Sequence, residues 1–161
     1  MKLGTIVALR SVIGLALAGS LVVQAVMMPL LWADLEGTPD VLRGSFIAIL
    51  IAIVVTMQIC AVCVWRLLTL VRRDRVFSAA AFRFVDTIIA AVALASVLTF
   101  AVAVLLAPGD LAPGIVGLIC GAALVTAGVA LVVLVLRAVL AQAVASATEV
   151  QVLRTELSEV V

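Results

Sequence analysis

The chain has 161 residues, of which 67% are hydrophobic and 12% charged, with a formal net charge of +1. A soluble domain is roughly half apolar and a quarter charged, so a water-soluble fold is excluded: a chain of this length could not hide so much apolar surface. The near-neutral balance excludes a general attraction to nucleic acid, and the absence of histidine removes the commonest general base and the commonest metal ligand.

Charged residues cut the chain into four uncharged runs, 11–33, 44–65, 87–109 and 111–136, the last read as a span over about 114–136. Each meets the requirement of about 20 apolar residues for a hydrocarbon core of about 30 Å. A lone charge at mid-bilayer costs roughly 2.5–3.5 kcal/mol, so four such runs predict four transmembrane helices. A β-barrel would alternate apolar and polar residues, whereas residues 46–55 are apolar on both faces.

Lys2 and Arg10 precede the first span, Pro29 is expected to kink or end it, and Trp32 marks its outer end. Lys2, Arg10 and the small-residue step Val23-Gln24-Ala25 also suit a cleaved signal peptide. The apolar run continues through residues 26–32 to full span length, which favours an uncut anchor; cleavage would leave three spans. Asp34, Glu36 and Asp40 form an acidic outer loop with Arg43. A solvated loop is the default reading there, and a weak divalent-cation site the alternative.

Gln24 and Gln58 are the larger polar residues inside spans one and two, and each can hydrogen-bond across a helix interface. Cys60-Ala-Val-Cys63 is a CxxC pair in the inner third of span two, with Trp65 at the inner end. Four-span thiol oxidoreductases place such a pair toward the oxidising side with a second pair in an outer loop. The outer loops here hold no cysteine, Cys120 stands alone in span four, and packing is the expected role of all three.

The connection 72–86 carries Arg72, Arg73, Arg75, Arg83 and Asp86. Ser78 is expected to cap the third helix, with Phe77 and Phe82 at the spacing of a hydrophobic staple. The arginines suit topology and anionic lipid, and they are also the candidate contact for a partner protein or a specific lipid. Asp86 can pair with Arg83 on its own helix, or with Arg66 or Arg137 at the ends of neighbouring spans.

Residues 108–114, Pro-Gly-Asp-Leu-Ala-Pro-Gly, form a turn that predicts an antiparallel pairing of spans three and four. Gly117 and Gly121 make a GxxxG step extended by Gly128, which marks span four as a candidate contact helix within the bundle or between protomers. Gly14 and Ala18 repeat the spacing in span one. Residues 137–161 are too charged to cross the membrane. Val139, Ala143, Ser146, Val150, Leu153, Leu157 and Val160 make a heptad-like stripe on a continuing amphipathic helix. Packing on the protein's own cytoplasmic loop, self-association or partner binding could each use that stripe.

Nine of the ten basic residues fall on the side that holds the termini and the 66–83 connection, against Arg43 alone on the other. The positive-inside rule therefore places both termini in the cytoplasm of a multi-pass protein of the cytoplasmic (inner) membrane. The expected fold is all-α: a four-helix bundle of antiparallel transmembrane helices with a cytoplasmic C-terminal helical extension.

The 72–86 segment, with Phe77-Ser78 ahead of the third span, and the ending Leu153-Arg154-Thr155-Glu156-Leu157-Ser158-Glu159-Val160-Val161 resemble bacterial membrane proteins grouped as domain of unknown function 2975. The resemblance runs over nearly the whole chain. It implies four spans and brings no established activity, cofactor or catalytic residue. Some members of that family accompany small helix-turn-helix regulators, which implies a cytoplasmic protein partner rather than direct contact with nucleic acid.

No phosphate loop, catalytic triad, metal set or paired carboxylate is present in the sequence, so no cofactor is expected. The leading expectation is a non-enzymatic regulatory or interaction subunit, surrounded by the lipid bilayer, that acts through its cytoplasmic loop and tail and could form a homo-oligomer. A small oligomeric transporter or channel for an apolar or amphiphilic solute is the alternative, and would gain from a polar groove lined by Gln24, Gln58, Thr56 and Thr99. A thiol oxidoreductase using Cys60 and Cys63 ranks last.

Overall fold

A computed structural model describes the backbone of residues 3–71, 79–109 and 112–159, and the side chains of 7–70, 83–109, 112–146 and 149–150. Four α-helices follow one another: α1 (Leu3–Asp34), α2 (Asp40–Val71), α3 (Ala79–Leu106) and α4 (Pro113–Glu159). No strand occurs among the described residues. Each helix holds a stretch long and apolar enough to cross a membrane: Val7–Asp34, Asp40–Leu70, Arg83–Leu106 and Pro113–Ser146. The chain is a multi-pass, all-helical membrane protein.

Local chemistry sets the breaks. After α1, the amide of Leu35 donates to Leu31 O, that of Glu36 to Ala33 O and that of Thr38 to Leu35 O. Gly37 then turns the chain at φ +106°, a conformation that costs glycine little. Pro113 opens α4, where its missing N–H deprives no helical carbonyl of a partner. Pro29 does not end α1 as its type suggests; the helix continues to Asp34. In a bilayer the helix is the only form that satisfies the backbone of a single segment, so it absorbs a proline that water would let it break at. α3 begins at Ala79. Ser78 and Phe77, and the side chain of Phe82, lie outside the described residues.

The packing corrects the expectation of a four-helix bundle. Among the described residues α1 touches only α2, α2 touches α1 and α3, and α4 touches only α3. The helices form an open row, not a ring closed by α1 on α4. Lipid tails are as apolar as leucine, so no hydrophobic gain drives the two ends of the row together. The buried positions are correspondingly few and small: Cys63 and Thr56 in α2, Ala91, Ala95, Ser96, Val102 and Ala103 in α3, and Ala123 and Ala130 in α4, with Ile47 the bulkiest. Small residues let the backbones of the middle and last helices approach closely. None of the spanning stretch of α1 is buried within the chain.

α4 runs 47 residues without a break, about 70 Å at 1.5 Å per residue. The segment after residue 137 continues the fourth span as the same helix, as the heptad-like pattern predicts. Of its apolar stripe, Val139, Ala143, Ser146 and Val150 are exposed. Nothing described covers them. The side chains of Leu153 and Leu157, and all of Val160, lie outside the described residues.

Candidate functional site

One end of the helix row is basic, and most of its polar groups are tied together. The Arg10 guanidinium lies 5.5 Å from the Trp65 ring centroid, and its Nη2 donates to Thr69 Oγ1 at 2.7 Å. Thr69 donates in turn to Trp65 O at 3.0 Å. The Trp65 ring lies against Gly14, where a methyl group would sit 3.6 Å from it, an ordinary van der Waals contact.

Beside this group, Trp65, Arg66, Thr69, Leu70 and Phe84 line a shallow crevice between α2 and α3. Farther along the row, Arg137 of α4 meets Asp86 of α3. Its Nη2 donates to Oδ2 at 2.8 Å and its Nε stands 2.5 Å from Oδ1. Of the three partners open to Asp86, the structure selects Arg137. The side chains of this pair are 34% and 49% exposed, so it contributes at most about 1 kcal/mol where water reaches it. Its value lies in holding α4 in register on α3 at the point where α4 leaves the span.

Arg83 and Arg66 have no ion pair among the described residues, and both are exposed. The Arg83–Asp86 pairing on one helix face, one of the three alternatives, is therefore not formed. Arg72, Arg73 and Arg75 lie outside the described residues.

The opposite end is acidic and centred on one cation. Arg43 stacks over the Trp32 ring at 4.2 Å and donates to Trp32 O. Next to it a cavity of about 260 Å³ is lined by Leu35, Thr38, Leu42, Phe46, Leu105 and Leu106. Among the described residues no three of His, Cys, Asp and Glu lie close enough to share a metal ion.

Within the membrane the two glutamines meet. Gln58 Nε2 donates to Gln24 Oε1 at 3.0 Å and to Ser20 Oγ at 3.1 Å. Thr56 and Thr99 do not join them. Each donates to a carbonyl of its own helix, Ile53 O and Ala95 O, at 2.7 Å. Ser96 makes a buried link between helices, donating to Ala123 O at 2.8 Å. Sequence reasoning missed it, because one serine in an alanine-rich span carries no pattern.

Cys63 is buried and Cys60 and Cys120 are half-buried; all three are free thiols. α2 and α4 make no contact among the described residues, so Cys120 is not brought to the CxxC pair.

Gly117, Gly121 and Gly128 are exposed, and a methyl group on any of them would meet nothing within 4 Å. Of the two roles open to this face, packing within the chain or between protomers, the first is not seen among the described residues. α4 meets α3 through the stripe of Ile119, Cys120, Ala123, Ala127 and Ala130, and the glycines lie on the far side of the helix.

The family described as protein of unknown function (DUF2975) matches residues 37–161. The match begins after α1 and takes in α2, α3, α4 and the basic connection. No curated protein and no solved structure gives a significant match.

Proposed function

The chain belongs to the DUF2975 family, and we propose that it is a non-enzymatic regulatory or interaction subunit of the cytoplasmic membrane. It works through contacts made on its basic side. In this reading the four spans run antiparallel and both termini are cytoplasmic. Arg72, Arg73, Arg75 and Arg83 are, in this reading, the residues that contribute with the tail to binding a partner. The pairings Arg10 with Thr69, Gln24 with Gln58 and Arg43 with Trp32 support the arrangement of α1 and α2.

The observation that carries the reading is the length of α4. Its uncharged run ends at Leu136, yet the same helix continues to Glu159, about 35 Å farther. Val139, Ala143, Ser146 and Val150 are left uncovered on it. The Arg137–Asp86 pair fixes where this rod departs from the row. A rigid helix held at its base presents a partner with a preorganised apolar stripe, which lowers the ordering cost of binding. A soluble protein with a complementary helix suits it, such as a helix-turn-helix regulator of the kind the family resemblance suggests.

The test is affinity capture of the full chain in mild detergent against a version ending at residue 138. A defined protein recovered with the first and lost with the second is the expected result. Recovery of the same proteins with both, or of none with either, would refute the reading.

A further inference from the structure

The hydrogen bonds at Gln24 and Gln58 do not balance. Gln58 spends its amide N–H groups on Ser20 and Gln24, and Ser20 donates to Leu17 O at 2.8 Å. Left over are the Gln24 amide nitrogen, a donor, and the Gln58 side-chain oxygen, an acceptor. Neither has a partner among the described residues. Nor is either among the sealed, unpartnered atoms, so both open to the surface of the α1–α2 seam. If the two amides trade roles, the remainder is still one donor and one acceptor.

That surface lies deep in the hydrocarbon. Along α1, Gln24 is 14 residues from Arg10 and 8 from Trp32, about 21 Å and about 12 Å. At that depth the lipid offers tails alone, with no group that can hydrogen-bond. Water has no polar rim to hold it either: Leu21, Val23 and Met27 on α1 and Val55, Met57 and Ile59 on α2 are all exposed. An amide left open to acyl chains is costly. What satisfies it must bring both a donor and an acceptor to the same depth.

A second copy of this chain does so by symmetry. An isologous interface sets each surface against itself, and a patch with one donor and one acceptor in excess is complementary to its own twofold image. We propose that two copies pair through the α1–α2 seam, the Gln24 amide of each donating to the Gln58 side-chain oxygen of the other. α1, which among the described residues only α2 covers, becomes the centre of the dimer. The glycine face of α4 stays outside it.

The test uses the full chain in phosphatidylcholine–phosphatidylglycerol vesicles, with donor- and acceptor-labelled copies mixed. Energy transfer between copies should persist on dilution with lipid. Gln24→Leu keeps the Gln58–Ser20 bond but removes, besides the Gln58–Gln24 bond within each copy, the two hydrogen bonds between copies, so it should weaken association roughly tenfold. In a variant with Cys60, Cys63 and Cys120 all changed to Ala, Leu21→Cys or Met27→Cys, one turn either side of Gln24, should form an intermolecular disulfide, and Leu124→Cys on α4 should not. The proposal is overturned by no transfer in the unaltered chain, by transfer indifferent to Gln24→Leu, by cross-linking through residue 124 alone, or by a different membrane protein captured at residues 21 and 27.

Discussion

The two ends of the helix row are held by different means. α1 lies on α2 through polar and aromatic contacts at three levels: Arg10 with Trp65 and Thr69, Gln24 with Gln58, and Trp32 with Arg43. Between them its side chains are mostly open, and none of its spanning stretch is buried. α3 sits between α2 and α4, and the buried residues are small: Ala91, Ala95, Ser96 and Ala103 in α3, Ala123 and Ala130 in α4. One polar bond, Ser96 to Ala123 O, is sealed among them. Close backbone packing makes α3 intolerant of volume. Discrete polar contacts make α1 tolerant of volume but dependent on particular side chains. The family match follows the same division, taking in α2 to α4 and beginning after α1.

Breaking the comparison at its tightest point should cost most. Ala103 is 2% exposed, and Ala103→Leu has no space to enter. Unfolding in a denaturing-detergent titration should shift by about 2–3 kcal/mol, the cost of overpacking. A change near zero would mean that α3 is not held by close packing. Next comes the aromatic contact of α1. Trp65→Ala removes both the ring over Gly14 and the cation–π partner of Arg10. A loss of about 1 kcal/mol is expected, seen as faster amide hydrogen exchange in α1 while α3 and α4 keep theirs. Equal loosening of all four helices would deny that α1 is separately attached. The smallest effect belongs to α4. Gly121→Ala adds a methyl group that meets nothing within 4 Å, so the stability of the monomer in detergent should stay within about 0.5 kcal/mol. A large loss there would restore the glycine face to the packing of the chain.

Much of the fold was legible because the bilayer punishes charge. Uncharged runs of spanning length predicted four helices, and the structure has four, each extending past its run: α1 begins at Leu3 where the run begins at 11, and α4 ends at Glu159 where the span ends at 136. Helix continues wherever backbone bonding permits, while the run stops at the first charge. The glutamines were legible as interface residues for the same reason. An amide in hydrocarbon must find a partner, although the sequence did not say that each would find the other.

The choice of neighbour is where the reading of the residues stopped. Gly117, Gly121 and Gly128 have the spacing of a contact face, and α3 meets a different face. Asp86 had three arginines within plausible reach and took Arg137. In water, the apolar side of a helix identifies the side that packs. In these spans almost every side is apolar, so composition could place each helix in the membrane without orienting it. The sequence by itself determined that four stretches can cross a membrane and which end is basic, both consequences of keeping charge out of lipid. The tertiary structure alone decided the open row, the meeting of Gln24 with Gln58 and the face of α4 left free, because shape and hydrogen bonding, not hydrophobicity, select partners where the solvent is itself apolar.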